Sequence, residues 1–155
     1  MTETKICCAC GKPEGEVLFD DTRLICRLCR TQKREIKTSA TYGAYLNKLH
    51  INSKSANKRG TRTKNHEYEI ALQDLIHLWE KQGGRCAISN VFLTHHKDGG
   101  GKKEFNASID RISNAKGYTL DNVQLVAYRI NLMKHALSED MFYWWIKTIN
   151  DFSCD

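Results

Sequence analysis

Apolar residues recur along this chain with two different periods. Tyr68, Ala71, Leu72, Leu75, Ile76 and Trp79 fall on one stripe of an amphipathic helix. Asn65 can cap its start, and Gly83-Gly84 stops it. Residues 85–88 are strand-like, and a loop containing Gly99-Gly100-Gly101 follows. Two short strands are expected at residues 107–112 and 122–126, joined by residues 113–121 with a turn at Gly117. Val126, Ile130, Met133 and Leu137 then share one face of a helix. Ser138 caps a last helix, whose first turn holds Glu139 and Asp140, where the helix dipole favours negative charge. Its expected buried stripe is Phe142, Trp145, Ile146 and Ile149, with Trp144 off the stripe. Upstream, the pattern predicts a short helix near residues 41–49 and a polar, mobile stretch over residues 53–64. No internal repeat is present. The pattern as a whole predicts an α+β chain.

Cysteine usage adds a second module. Of the seven cysteines, five lie in the first 29 residues, in closely spaced pairs. No run of eighteen apolar residues and no charged-then-apolar leader is visible. The expectation is a cytoplasmic chain, neither membrane-spanning nor secreted, in which grouped cysteines hold a metal rather than form disulfides. Cys7-x2-Cys10 and Cys26-x2-Cys29 are two hooks fifteen residues apart. Each hook can place two thiolates about 2.3 Å from one tetrahedral Zn²⁺. Cys8-x-Cys10 is a poorer hook than Cys7-x2-Cys10. Four protein ligands leave no open position, so this zinc is expected to be structural and to supply folding energy on the order of 10 kcal/mol. The expected organisation is a zinc knuckle over residues 1–36, a basic arm over 37–64 and a compact domain over 65–155.

Charge is uneven. The chain carries a net +6, yet residues 30–64 alone hold ten Lys and Arg against the single acid Glu35. That asymmetry suits a polyanion, because Lys and Arg displace counterions from a phosphate backbone. Lys54, Lys58, Arg59, Arg62 and Lys64 are the residues of the arm expected to bind the polyanion. Lys5, Lys12, Arg23, Arg27 and Arg30 of the knuckle are further candidates for touching phosphates.

The chemistry is expected downstream. Asp110 ends one short strand, Asn122 begins the next, and Asn131 sits on the following helix. A hairpin folded against that helix would bring Asp110 and Asn131 together as hard oxygen ligands for Mg²⁺ or Mn²⁺, with waters and phosphate oxygens completing the shell. Asn131 and Lys134 are three apart on one helix face, so Lys134 is expected to point to the same phosphate.

Residues 53–149 resemble the HNH (ββα-metal) endonucleases common in bacteriophages. The resemblance rests on Lys54-Ser55-Ala56-Asn57-Lys58-Arg59-Gly60, on Gln82-Gly83-Gly84-Arg85-Cys86-Ala87-Ile88, and on the series Asp110-Arg111-Ile112, Gly117-Tyr118, Asn122 and Asn131-x-x-Lys134. It implies that Asp110 binds the metal, that Asn122 braces the hairpin through backbone hydrogen bonds, and that Asn131 is the last ligand.

Two departures stand out. Where many relatives carry the histidine that activates water, this chain has Arg111, which stays protonated and cannot be a general base. Arg111 could instead clamp the scissile phosphate, with His95 or His96 as the base, or unassisted metal-bound hydroxide as the alternative. Relatives also often hold a zinc with two Cys-x-x-Cys pairs around this fold. Here Cys86 stands alone, with Ala127 and Ile130 where a second pair would be, so no zinc is expected in this half.

The expected function is hydrolysis of DNA phosphodiesters. The rival expectation is a zinc-containing DNA-binding protein that has lost catalysis at Arg111, with a protein-contacting adaptor in a phage machine as a third. The oligomeric state is left open, a homodimer included.

Overall fold

The structure, a computed structural model, describes residues 4–20, 23–59, 66–96 and 104–153. Its elements are α1 (Arg27–Ser39), α2 (Tyr42–Lys58), α3 (Leu72–Lys81), β1 (Ala107–Arg111), β2 (Val123–Ala127), α4 (Tyr128–Lys134) and α5 (Glu139–Ser153). The chain is therefore mixed α and β. Asn65, Arg62, Lys64 and the Gly99–Gly101 loop lie outside the described residues.

β1 and β2 form an antiparallel hairpin in which Ile109 faces Leu125 and Asp110 faces Gln124. Strand alternation sends Ile109, Leu125 and Ala127 to one face, where they join Tyr45 and Leu46 of α2 and Leu75 of α3 in the core. Ser108 and Asp110 leave β1 on the other face.

Side chains close both edges of this small sheet. Along β1, the outward carbonyls of Ala107, Ile109 and Arg111 accept from Tyr45 Oη (3.0 Å), Asn131 Nδ2 (3.1 Å) and Lys134 Nζ (2.9 Å). Along β2, Gln82 imitates a peptide unit. Its Nε2 donates to the Leu125 carbonyl (2.8 Å) and its Oε1 accepts the Leu125 N–H (3.1 Å). Ala87 N–H adds a 3.0 Å bond to the same carbonyl, and Cys86 Sγ accepts from Ala127 N–H at 3.3 Å. Residues 85–88 therefore do not form the strand the pattern suggests. They make an isolated bridge, Arg85 to Phe92, and otherwise serve as an edge cover.

Three element boundaries differ from the pattern. α3 starts at Leu72, not near Asn65, because residues 67–70 are committed to Tyr118: its N–H donates to Glu67 O (2.8 Å), and its carbonyl accepts from Glu69 and Ile70 (3.0 and 3.2 Å). That approach needs Gly117, where a Cβ would stand 2.4 Å from Glu67 O. α3 ends as expected at Gly83 and Gly84, both at positive φ.

Residues 42–58, expected as a short helix and a mobile tail, form one helix capped by Thr41 Oγ1 accepting from Ala44 N–H at 3.1 Å. Tyr45 and Leu46 tie that helix into the core.

On α4, Ile130 packs on the core but Met133 is exposed, and the helix ends at Lys134 before Leu137. On α5, only Phe142 of the expected buried stripe is buried.

Candidate functional site

The first candidate site is the cysteine cluster. Gly11, at φ +70°, turns the chain after Cys10, and its N–H donates to Cys7 O at 2.8 Å. The second hook lies where the chain enters α1, with Cys26 as its N-cap residue. The ligand atoms of Cys7, Cys10, Cys26 and Cys29 all lie within 4.8 Å of one another, so these four cysteines could hold a metal ion. A tetrahedron with metal–sulfur bonds of about 2.3 Å has edges of about 3.8 Å, and Cys10 Sγ lies 4.0 Å from Cys26 Sγ. The donor set therefore fits zinc. Cys8 is exposed and stands apart from the group.

The thiols are already polarised by their surroundings. The Cys26 N–H, 3.3 Å from Cys7 Sγ, pulls the Cys7 thiol down to about 6. Hydrogen bonds with the Cys26 and Cys10 side chains push Cys29 up to about 12. A cation among the four converging sulfurs would bind them as thiolates, since metal binding releases the thiol protons. Around the cluster, Asp20 accepts from Arg27 Nε at 2.9 Å and from Arg30 Nη1. Lys12 lies 3.8 Å from Glu16.

The second candidate site lies between β1 and α4. Asp110 is 4% exposed and Lys134 is fully buried. Lys134 Nζ stands 3.1 Å from each Asp110 carboxylate oxygen. Gln124 Nε2 donates to Asp110 Oδ2 at 3.0 Å and also to Glu139 Oε1, in the first turn of α5. Asn131 Nδ2 donates to Ser108 Oγ (2.7 Å) and Ile109 O (3.1 Å), which leaves Oδ1 as the atom free to meet a cation. The hairpin and α4 thus bring Asp110, Asn131 and Lys134 together, and β2 and α5 add Gln124 and Glu139. As a donor set for a hard cation, a carboxylate and an amide oxygen fit. The competitor for that carboxylate is the Lys134 ammonium.

Asn122 cross-links the hairpin connection and is buried. Its Oδ1 accepts from Ser113 N–H (2.9 Å), and its Nδ2 donates to Ser113 O (3.0 Å) and Gly117 O (2.8 Å).

Three expected roles change with the geometry. Lys134 cannot be a surface phosphate contact, because its ammonium is sealed against Asp110 and the Arg111 carbonyl. Arg111 leaves β1 on the face opposite Asp110. There its Nη1 donates to Asn114 O (3.3 Å) and Lys116 O (2.8 Å), and the guanidinium lies over the Tyr118 ring, 5.2 Å from its centroid. It is a brace of the connection and not a clamp beside Asp110. His95 stands edge-on to Trp79, with ring centroids 6.2 Å apart, and the His96 carbonyl accepts from Asn106 Nδ2 at 3.1 Å. At a strand rise of about 3.4 Å per residue, Asn106 lies roughly 14 Å along the chain from Asp110. The two histidines therefore flank the far end of β1.

Lys54, Lys58 and Arg59 are exposed at the C-terminal end of α2. No described helix is long and apolar enough to cross a membrane.

Sequence reasoning missed Gln124 and Glu139. The signal for Gln124 was its register opposite Asp110, which follows once the two strands are paired around a turn at Gly117. In the sequence, Glu139 carries only the signal of a charge favourable to the helix dipole.

No family model matches the sequence, and no curated protein matches it either. Among solved structures, the chain is similar to one described as the rare-cutting HNH restriction endonuclease PacI, at 15% identity over 95% of this chain and 94% of that chain, with a TM-score of 0.44. A likeness of that degree says nothing of this chain's chemistry.

Proposed function

We propose that this chain is a metal-dependent endonuclease that hydrolyses DNA phosphodiester bonds, using one Mg²⁺ or Mn²⁺ held by Asp110 and Asn131. The observation that carries the reading is the gathering of the buried Asp110 carboxylate and the Asn131 amide at the junction of hairpin and helix. A divalent ion there would polarise the scissile phosphate and stabilise the leaving oxygen. Asn131 presents Oδ1 while its Nδ2 fixes the side chain to β1. Glu139, tied to Asp110 through Gln124, is the carboxylate that accepts the proton of the attacking water. The exposed Lys54, Lys58 and Arg59, together with Arg62 and Lys64, contact the DNA backbone and give affinity without sequence information. A zinc on Cys7, Cys10, Cys26 and Cys29 holds the N-terminal module and takes no part in the reaction.

The test is incubation of supercoiled plasmid with the purified chain in Mg²⁺, Mn²⁺ or EDTA. Nicked or linear product with either metal, none with EDTA, and none with Asp110→Asn assayed at a temperature where circular dichroism shows that variant folded, is the expected result. Loss of rate in Glu139→Gln with DNA binding retained tests the proton acceptor.

A second reading is a DNA-binding protein without catalysis. It is favoured by the Lys134 ammonium and the Gln124 amide, which engage both Asp110 oxygens. DNA binding that weakens with salt, combined with no cleavage in either metal, would select it.

A further inference from the structure

Among the described residues, the anchors of α5 lie near its start. Phe142 is buried, Glu139 reaches Gln124, and Tyr143 Oη donates to Ile88 O at 3.4 Å. Beyond that turn the helix carries its apolar residues into solvent. Phe142, Trp145, Ile149 and Phe152 recur at intervals of three, four and three, the spacing of a seam between two helices. The last three are 46%, 59% and 86% exposed. Met141 and Ile146 flank the seam and are also exposed. The charged residues Lys147 and Asp151 fall on the opposite side of the helix.

We propose that this face of α5 is a dimer interface that packs antiparallel on α5 of a second copy of the chain. The seam spacing calls for a helix as the occupant, and α5 is the described helix that leaves such a seam open. The exposed apolar surface of the seam and its flanks is roughly 550 Å², taking large side chains at about 200 Å² each, which is about two-thirds of the ~800 Å² per partner of a standard interface. It lies at the upper end of the about 300–600 Å² that the largest patch on a monomer covers, a size that is often functional. No charge interrupts the face, so two copies can meet without burying an unpaired ion. Antiparallel packing follows from the anchoring. Each body sits at the N-terminal end of its own helix, and a parallel pair would crowd the two bodies together and bring Glu139 and Asp140 of both copies to one end. The interface stands or falls independently of the nuclease reading.

Sedimentation equilibrium of the full chain at micromolar to tens of micromolar concentration tests this. The wild type should be a dimer. Ile149→Glu and Phe152→Glu, both at exposed positions, should raise the dissociation constant roughly 30-fold or more, while zinc content and circular dichroism stay the same. Leu24 and Leu28 are exposed apolar residues of the cysteine module, and Leu24→Glu/Leu28→Glu should leave the dimer intact. A monomeric wild type would overturn the proposal and point to a different protein as the partner of α5. A dimer that survives both α5 changes, or that dissociates only in the Leu24/Leu28 variant, would overturn it as well.

Discussion

Lys134 is the residue whose surroundings decide most about the site. A buried ion pair contributes little over an apolar pair of the same shape, but removing one partner strands the other charge. Lys134→Met should therefore cost about 3–5 kcal/mol in urea unfolding, and the double change Asp110→Asn/Lys134→Met should recover most of that loss. Full additivity of the two single changes would mean the pair is not a unit. Tyr45 gives a second residue-level expectation, this one with a pH dependence. Burial raises its phenol from 10.0 to about 12. The unfolded chain ionises first, so the stability this hydroxyl provides is whole below pH 10 and is lost as pH rises through about 12. Tyr45→Phe, which leaves the Ala107 carbonyl without its donor, should cost about 1–3 kcal/mol at neutral pH. That difference from the wild type should shrink in denaturation curves taken at increasing alkaline pH. At this scale, the residue types of Asp110, Asn122 and Asn131 were legible in the sequence. What Lys134 and Arg111 do was not. Lysine is almost never fully buried unless paired, and nothing local to Lys134 announces a partner twenty-four residues earlier. Arg111 follows an acid, but strand alternation turns it to the opposite face.

Elements were legible where one period ran uninterrupted. The α3 stripe and the two strands follow their expected spacing, and Gly83-Gly84 ends α3. Where backbone groups had distant partners, the local pattern failed. Residues 67–70 continue the helical stripe in sequence but pair with Tyr118 instead. The second half of α2 is rich in Ser, Asn and Lys, the composition of a mobile stretch, yet it stays helical to Lys58, with Asn57 Nδ2 donating to the His66 carbonyl at 2.7 Å. That helix presents the exposed basic residues on a rigid support. Changing Lys54, Lys58 and Arg59 to Gln should lower the log–log salt slope of DNA binding by roughly 0.9 for each phosphate no longer neutralised. An unchanged slope would put the footprint elsewhere. For the N-terminal module, removal of metal by a strong chelator should expose the amides of residues 4–30 to hydrogen exchange. β1 and β2 should keep their protection, because the Tyr45, Leu46, Leu75 and Leu125 core contains none of the four clustered cysteines. Simultaneous loss of protection in both regions would show one cooperative unit.

At the scale of the whole molecule, everything depends on a sheet of two strands, which is marginal on its own in water. The protein makes it a core by covering it: α2 and α3 on one face, α4 on the other, and side chains along both edges. Those edge bonds have a consequence for how the chain survives its own folding. An uncovered strand offers a row of unpaired amides and carbonyls to any other extended segment, including those of neighbouring molecules. Here the cover for β2 comes from Gln82 and Cys86, about forty residues upstream, so the hairpin forms from local contacts before its guard arrives. Gln82→Ala should therefore do more harm during refolding than in the native state. Its loss in equilibrium stability should be modest, but light scattering on dilution from denaturant should rise with protein concentration far more steeply than for the wild type. Equal scattering from both would mean the edge is shielded some other way while the chain folds. The glutamine that looks like a helix-end residue in the sequence is, in this sense, the chain's protection against pairing with its own copies.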